Sequence, residues 1–352
     1  MWQQAGLIIG GILWGIMGDK KGRLSVLFGS ILTYSLANIA CGFVQEVSHY
    51  QYLRFIAGIG LAGELGAGIT LVSEILPKNL RGYGSSLVAG IGLLGAVAAY
   101  STTEWLHSWR TSYFVGGGLG ISLLLLRVSI FESSIFASVK ENSMIKRGNI
   151  FQLFTNFTTL SKYLRCIGIA LPIWFFIGIL ATFGKEIGEA MHISEKVISG
   201  KCIQYSYIGL AIGDITSGLL SQWLQSRKKA IAILMVGALV GSIAFLHSGV
   251  TTAQSLYYIC LFSGFFIGYW AMFMTVTAEQ FGTNIRATAT TSVPNMVRGA
   301  LIIMTALLGY WKESFDIVTA ACFIGILCFV IAALSLWKME ETFGKELDYL
   351  EE

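Results

Sequence analysis

The chain has 352 residues, of which 55% are hydrophobic and only 12% charged, with a formal net charge of +4. A soluble domain averages about 25% charged residues, so this composition excludes a globular surface facing water and implies that lipid is the main solvent. The net charge itself says little until the charges are sorted by side.

Apolar stretches of roughly 17–25 residues, each long enough to cross a ~30 Å hydrocarbon core as a helix, recur along the chain. They fall near 2–18, 24–44, 51–75, 83–102, 112–131, 166–184, 199–224, 230–247, 254–278, 288–310 and 315–337, about eleven in all. The first has no basic leader and ends in the charged loop Gly18-Asp19-Lys20-Lys21-Gly22-Arg23 rather than a small-residue cleavage site, so it reads as a span and not as a signal peptide. The third contains Gly58-Ile-Gly60-Leu-Ala-Gly63-Glu64. Its glycines match GxGxxG, but no strand precedes them, so they read as close helix packing rather than a dinucleotide site. Glu64 lies near the middle of that span, Asp214 is central in 199–224 and Arg298 in 288–310. An ionised group at such depth costs ~2.5–3.5 kcal/mol and usually faces a bundle interior or a wet cavity. Two uses are open: an ion pair of Arg298 with Glu64 or Asp214 that ties the bundle together, or a cavity whose acid binds and releases a proton. The aromatics Trp174, Tyr269 and Trp270 are candidates to line such a cavity.

The six cysteines lie in or beside spans without a CxxC spacing, and the four histidines are scattered near outer loops. They read as packing and surface residues. No catalytic residue, cofactor or metal is expected, and the chain is not an enzyme. The acceptor pattern Asn156-Phe157-Thr158 falls on the inner side and is set aside.

If the loop around Lys20 is cytoplasmic, 17 of the 24 Lys and Arg fall on that side and five on the other, with Arg54 and Arg298 inside spans. This asymmetry follows the positive-inside rule and places the C-terminus in the cytoplasm. Lys20, Lys21 and Arg227 to Lys229 read as topology signals of this kind.

The chain also repeats itself. Gly6, Leu7, Ile9, Gly10, Ile12 and Gly15 align with Gly209, Leu210, Ile212, Gly213, Ile215 and Gly218 at an offset of 203. Glu74, Asn79 and Arg81 align with Glu279, Asn284 and Arg286 at an offset of 205, which would carry Glu64 onto Tyr269. Two similar helical bundles are therefore expected: 1–136 with five spans and 166–337 with six, joined by a cytoplasmic linker at 137–165 and followed by a tail at 338–352. Subtracting 203 from the span at 166–184 places its partner before residue 1, so the first transmembrane helix of a six-plus-six arrangement is expected to be absent.

These residues resemble the major facilitator superfamily, in its metabolite–proton symporter and sugar-porter branches. Gly15 to Arg23 is similar to its signature loop between the second and third helices, and Arg54-Phe-Ile-Ala-Gly58-Ile-Gly60 to the motif of its fourth. Glu74 to Gly82, Trp109-Arg110, Glu132-Ser133 with Phe136, and Glu341-Thr342-Phe343-Gly344 with Leu347 are similar to further stations. The second signature loop departs from the pattern, with Gln222 where Asp19 would fall. The resemblance implies an all-α integral membrane protein of the twelve-helix MFS fold. It assigns Asp19, Arg23, Glu74, Arg81, Glu279 and Arg286 to an inter-helix charge lock at the cytoplasmic ends, and to Arg54 a part in proton coupling. A carboxylate such as Asp19 is favoured near the positive end of the helix starting at about Ala287.

The expectation is a secondary transporter moving a small polar metabolite (an organic anion, amino acid or osmolyte) across the cytoplasmic membrane by alternating access with proton coupling. Glu64 would be its acid, and Arg54, Asp214, Arg298, Tyr269, Trp270 and Trp174 its cavity partners. A facilitator or exporter without coupling, and a non-transporting fragment or membrane partner protein, stay open. The expected partners are the substrate, protons and the bilayer, with no nucleic acid, in a monomer.

Overall fold

The computed structural model describes residues 1–77, 80–126, 148 and 151–351, and it is helical throughout its long elements. The first half comprises α1 (Trp2–Lys21), α2 (Arg23–Phe43), α3 (Val47–Ile75), α4 (Arg81–Leu106) and α5 (Trp109–Leu126). The second comprises α6 (Phe157–Phe175, continuing as a π-helical turn over Phe176–Ala181), α7 (Ser199–Leu224), α8 (Arg227–His247), α9 (Ala253–Ile267), α10 (Trp270–Gln280), α11 (Arg286–Trp311) and α12 (Ile317–Lys338). Among the described residues, eight segments are long and apolar enough to cross a bilayer. Leu126, Trp223, Ile303 and Ile326 are exposed on their outer faces, as a lipid-facing surface requires.

The elements follow the expected spans with two differences. α6 begins at Phe157, nine residues before the apolar stretch, because the Asn156 side chain accepts from the Thr158 N–H and starts the helix there. The single span expected over 254–278 is two helices, broken between Ile267 and Trp270. Lys78, Asn79 and the stretch holding Arg127, Glu132, Ser133, Phe136, Lys140, Lys146 and Arg147 lie outside the described residues.

Glycine sets the helix spacing, and it does so twice. A Cβ on Gly6 would fall 2.1 Å from the Phe55 carbonyl oxygen, one on Gly10 2.5 Å from that of Ile59, and one on Gly58 2.3 Å from that of Gln3. The second half repeats all three contacts: Gly209 on Leu261 at 2.1 Å, Gly213 on Phe265 at 2.0 Å and Gly264 on Ser206 at 2.2 Å. Only glycine permits backbones to approach so closely. The halves meet reciprocally too. α1 lies on α11, with Gly11 against Asn295 and Gly15 against Thr288, while α7 lies on α4, with Gly218 against Ser86 and Gly90 against Ala211.

In the second half α6 is the hub, packed on α8, α10, α11 and α12. In the first half two cavities lie among α2, α3, α4 and α5, of about 610 Å³ and about 460 Å³.

Candidate transport cavity and cytoplasmic lock

The larger cavity is lined by α2 to α5 of the first half, and Trp270 and Arg298 close it from the second. Glu64 of α3 faces it, so two of the charges singled out in the sequence share one space. The Arg298 guanidinium carbon sits 5.4 Å from the ring centroid of Trp174 and 5.4 Å from that of Trp270. The two indoles meet edge to face at 6.0 Å. Arg298 reaches Asn295 Oδ1 at 3.5 Å, its Nε has no hydrogen-bond partner, and among the described residues no carboxylate lies within 4 Å of it. The ion pair weighed from sequence, Arg298 with Glu64 or Asp214, is thus not formed. Aromatic faces hold a guanidinium in place without neutralising it, which leaves its charge directed at the cavity.

The other expected partners sit elsewhere. Asp214 is fully buried behind the cavity wall, where its Oδ1 accepts from the Ala271 N–H at 2.8 Å. Tyr269 is buried as well, donating to the Ile169 carbonyl at 3.1 Å. The glycine contacts run at an offset of 206 along α3 and α9, so counted from the outer side Glu64 corresponds to Trp270 rather than to Tyr269. Arg54 lines the second cavity with Tyr34, Asn38 and Tyr113. It donates to Asn38 Oδ1 and Gln3 Oε1 and lies over the Tyr113 ring.

The helix ends that carry Asp19, Glu74 and Glu279 are tied by buried charge. Asp19 accepts from the Ala287 and Thr288 N–H groups at 3.0 and 2.8 Å and from the Thr288 hydroxyl at 2.7 Å. It is thus an N-cap for α11 supplied by the other half, which satisfies donors the helix cannot satisfy itself. Arg23 pairs with Glu74 at 2.7 Å, and Glu74 also takes Arg286 across the halves at 3.1 Å. Arg81 is buried and donates to the Lys345 carbonyl at 2.9 Å. In the second half Glu279 is held by Arg227, with Nη2 to Oε1 at 3.0 Å and Nε to Oε2 at 3.2 Å. This corrects the sequence reading of Arg227 as a topology signal: the residue is fully buried. Its offset of 204 from Arg23, between the offsets of 203 and 205, is the signal that could have found it. Gln222, which replaces Asp19, leaves its Nε2 without a partner beside Gly82.

The tail motif Glu341 to Leu347 joins the same network. Glu341 accepts from the Arg227 and Lys228 N–H groups and the Ser226 hydroxyl. Thr342 donates to Glu279 at 2.8 Å, the Leu347 carbonyl accepts from Arg286, and Glu351 pairs with Lys162 at 2.8 Å. The tail therefore lies across both members of the lock.

Comparison with known proteins agrees with this architecture. The Major Facilitator Superfamily profile matches residues 2–306. This chain belongs to the Major Facilitator Superfamily. The niacin transporter NiaP of Acinetobacter baylyi is 25% identical, over 80% of this chain and 70% of its own. The sialic acid transporter NanX of Escherichia coli is 25% identical, over 89% of this chain and 78% of its own. The solved structure of the proton:xylose symporter XylE bound to 6-bromo-6-deoxy-D-glucose superimposes with a TM-score of 0.76 at 16% identity, over 99% of this chain and 86% of that one. As a facilitator-superfamily member the chain is a membrane transporter of small metabolites and not an enzyme, and the repeated glycine contacts are the pseudo-symmetry of its two bundles.

Proposed function

We propose that this chain imports a small carboxylate-bearing metabolite together with a proton, across the cytoplasmic membrane, by alternating access. The observation that carries the reading is the un-neutralised Arg298 guanidinium, clamped by Trp174 and Trp270, in the same cavity as Glu64. Arg298 is suited to a carboxylate by its forked donors, and the indoles suit a planar or apolar body behind it. Glu64, which faces the same cavity, takes and releases the coupled proton. Arg54, in the second cavity, assists that transfer. Niacin and sialic acid, the named cargoes of two relatives, are both carboxylic acids.

The bundles at 1–136 and 166–337 rock about this cavity, with 137–165 linking them. The lock of Asp19, Arg23, Glu74, Arg81, Glu279 and Arg286 closes the inner end and breaks as the cavity opens inward. Lys20, Lys21, Lys228, Lys229, Lys338 and Lys345 share that end, which is cytoplasmic by the positive-inside rule.

Uptake into proteoliposomes of labelled nicotinate, benzoate and sialic acid, each set against a neutral amide analogue, tests the reading. A charge-assisted hydrogen bond is worth about 1.5–3 kcal/mol, so a transported acid should exceed its amide by roughly 10–100-fold in uptake efficiency. Arg298→Ala should abolish the difference. Equal uptake of acid and amide, or a preference that survives Arg298→Ala, overturns it.

A further inference from the structure

The two halves differ at one matched position beside which the helix path also differs. On α1 the residue after Gly10 is Gly11, and the helix that α1 packs on, α3, runs unbroken from Val47 to Ile75. On α7 the matching residue is Asp214, and the helix that α7 packs on is interrupted between Ile267 and Trp270. The break sits directly on Asp214: a Cβ added to Gly268 would fall 2.5 Å from the Gly213 Cα and 2.7 Å from the Asp214 nitrogen.

Interrupting a buried helix leaves the first N–H groups of the new segment without partners inside it, and in lipid no water can supply them. Asp214 meets part of this need from another helix, with Oδ1 accepting from the Ala271 N–H at 2.8 Å, while its Oδ2 is buried without a partner. Trp270 is the first residue of α10. Whatever fixes that terminus also fixes the indole over Arg298, which packs on Phe273 at 5.2 Å and on Trp174 at 6.0 Å.

We propose that Asp214 is the positioning residue of the transport cavity: it anchors the start of α10 so that Trp270 holds the Arg298 guanidinium toward the substrate. It touches neither substrate nor Arg298. The affinity part of this proposal rests on the carboxylate reading above, whereas the structural part does not.

The test uses the full chain in nanodiscs. The emission of Trp270 is isolated as the difference between each protein and its Trp270→Phe partner, without substrate. In Asp214→Ala this difference spectrum should shift to the red and be quenched more strongly by acrylamide. In Asp214→Asn, which retains an acceptor oxygen, both should stay at the wild-type value. Uptake of whichever panel carboxylate accumulates most supplies the second readout. Asp214→Ala should raise KM about tenfold, the worth of one desolvated cation–π contact, with little change in maximal rate per folded transporter. In a Trp270→Ala background it should add nothing further, because both changes remove one interaction.

An unchanged Trp270 spectrum in Asp214→Ala, or a KM penalty that simply adds to that of Trp270→Ala, overturns the proposal. If Asp214→Ala does not fold, Asp214→Asn decides: a KM within about threefold of wild type supports the cap, and a loss as large as that of Trp270→Ala overturns it. A shifted spectrum with no carboxylate transported would leave the positioning role standing and remove the substrate reading.

Discussion

Arg298 illustrates how a charge can be half-buried and still be available. Pairing it with Glu64 or Asp214 would have neutralised it, whereas Trp174 and Trp270 hold it through their π-faces. The planar guanidinium fits between two rings as a compact ammonium cannot. Arg298→Lys should therefore raise KM for the transported carboxylate by about tenfold or more while the amount of folded protein is unchanged; initial-rate uptake normalised to reconstituted protein checks this. Glu64 and Arg298 were legible in the sequence because an ionisable side chain inside an apolar run has few other uses. Arg227 was not, because it opens an Arg-Lys-Lys cluster that looks like a topology signal, and only the fold shows it buried against Glu279.

At the scale of the elements, glycine contacts and helix caps set the geometry. Gly264 admits the Ser206 carbonyl, so a Cβ there would meet it at 2.2 Å, whereas Gly309 has nothing within 4 Å. Gly264→Ala should lower the melting temperature and the yield, since backbone and not a flexible side chain must move. Gly309→Ala should be neutral or stabilising by up to ~1 kcal/mol from helix propensity. Thermal scans of the two purified variants decide this.

The tail supplies a pH-dependent cap. Burial pushes the Glu341 carboxyl up, but the Ser226 hydroxyl and the backbone N–H groups of Phe343, Arg227 and Lys228 outweigh it and hold the group below the ordinary glutamate range. A carboxyl lowered by folding contributes stability that is present above its unfolded value and is lost as pH falls through the folded one. The melting temperature of Glu341→Gln should thus lie below wild type at neutral pH, and the gap should close in the acid range below about pH 4. A gap that is constant with pH would contradict the cap. The Gly268–Tyr269 break escaped the sequence reading because the stretch has no proline and its glycine reads equally well as a packing residue. The starts and ends of most other helices were legible from hydropathy alone.

For the whole molecule, the repeat made the two-bundle plan legible, because Gly6 and Gly10 recur as Gly209 and Gly213 and then make the same contacts. The repeat put Gln222 opposite Asp19 and Asp214 opposite Gly11, but it could not show that an unbroken α3 is matched by the separate α9 and α10. The helix break is tertiary, and it lies beside a cavity lined by Glu64 from one half and Arg298 from the other. The charged network joins the halves through Asp19 on α11 and Glu74 on Arg286, and in the proposed cycle these contacts separate when the cavity faces inward.

The most direct measurement is proton movement in proteoliposomes driven by an imposed gradient of the transported carboxylate. We predict acidification that follows the carboxylate inward in wild type. In Glu64→Gln it should be lost, while exchange of labelled for unlabelled carboxylate, which needs no net proton transfer, persists. Substrate-dependent acidification that survives Glu64→Gln would contradict the account.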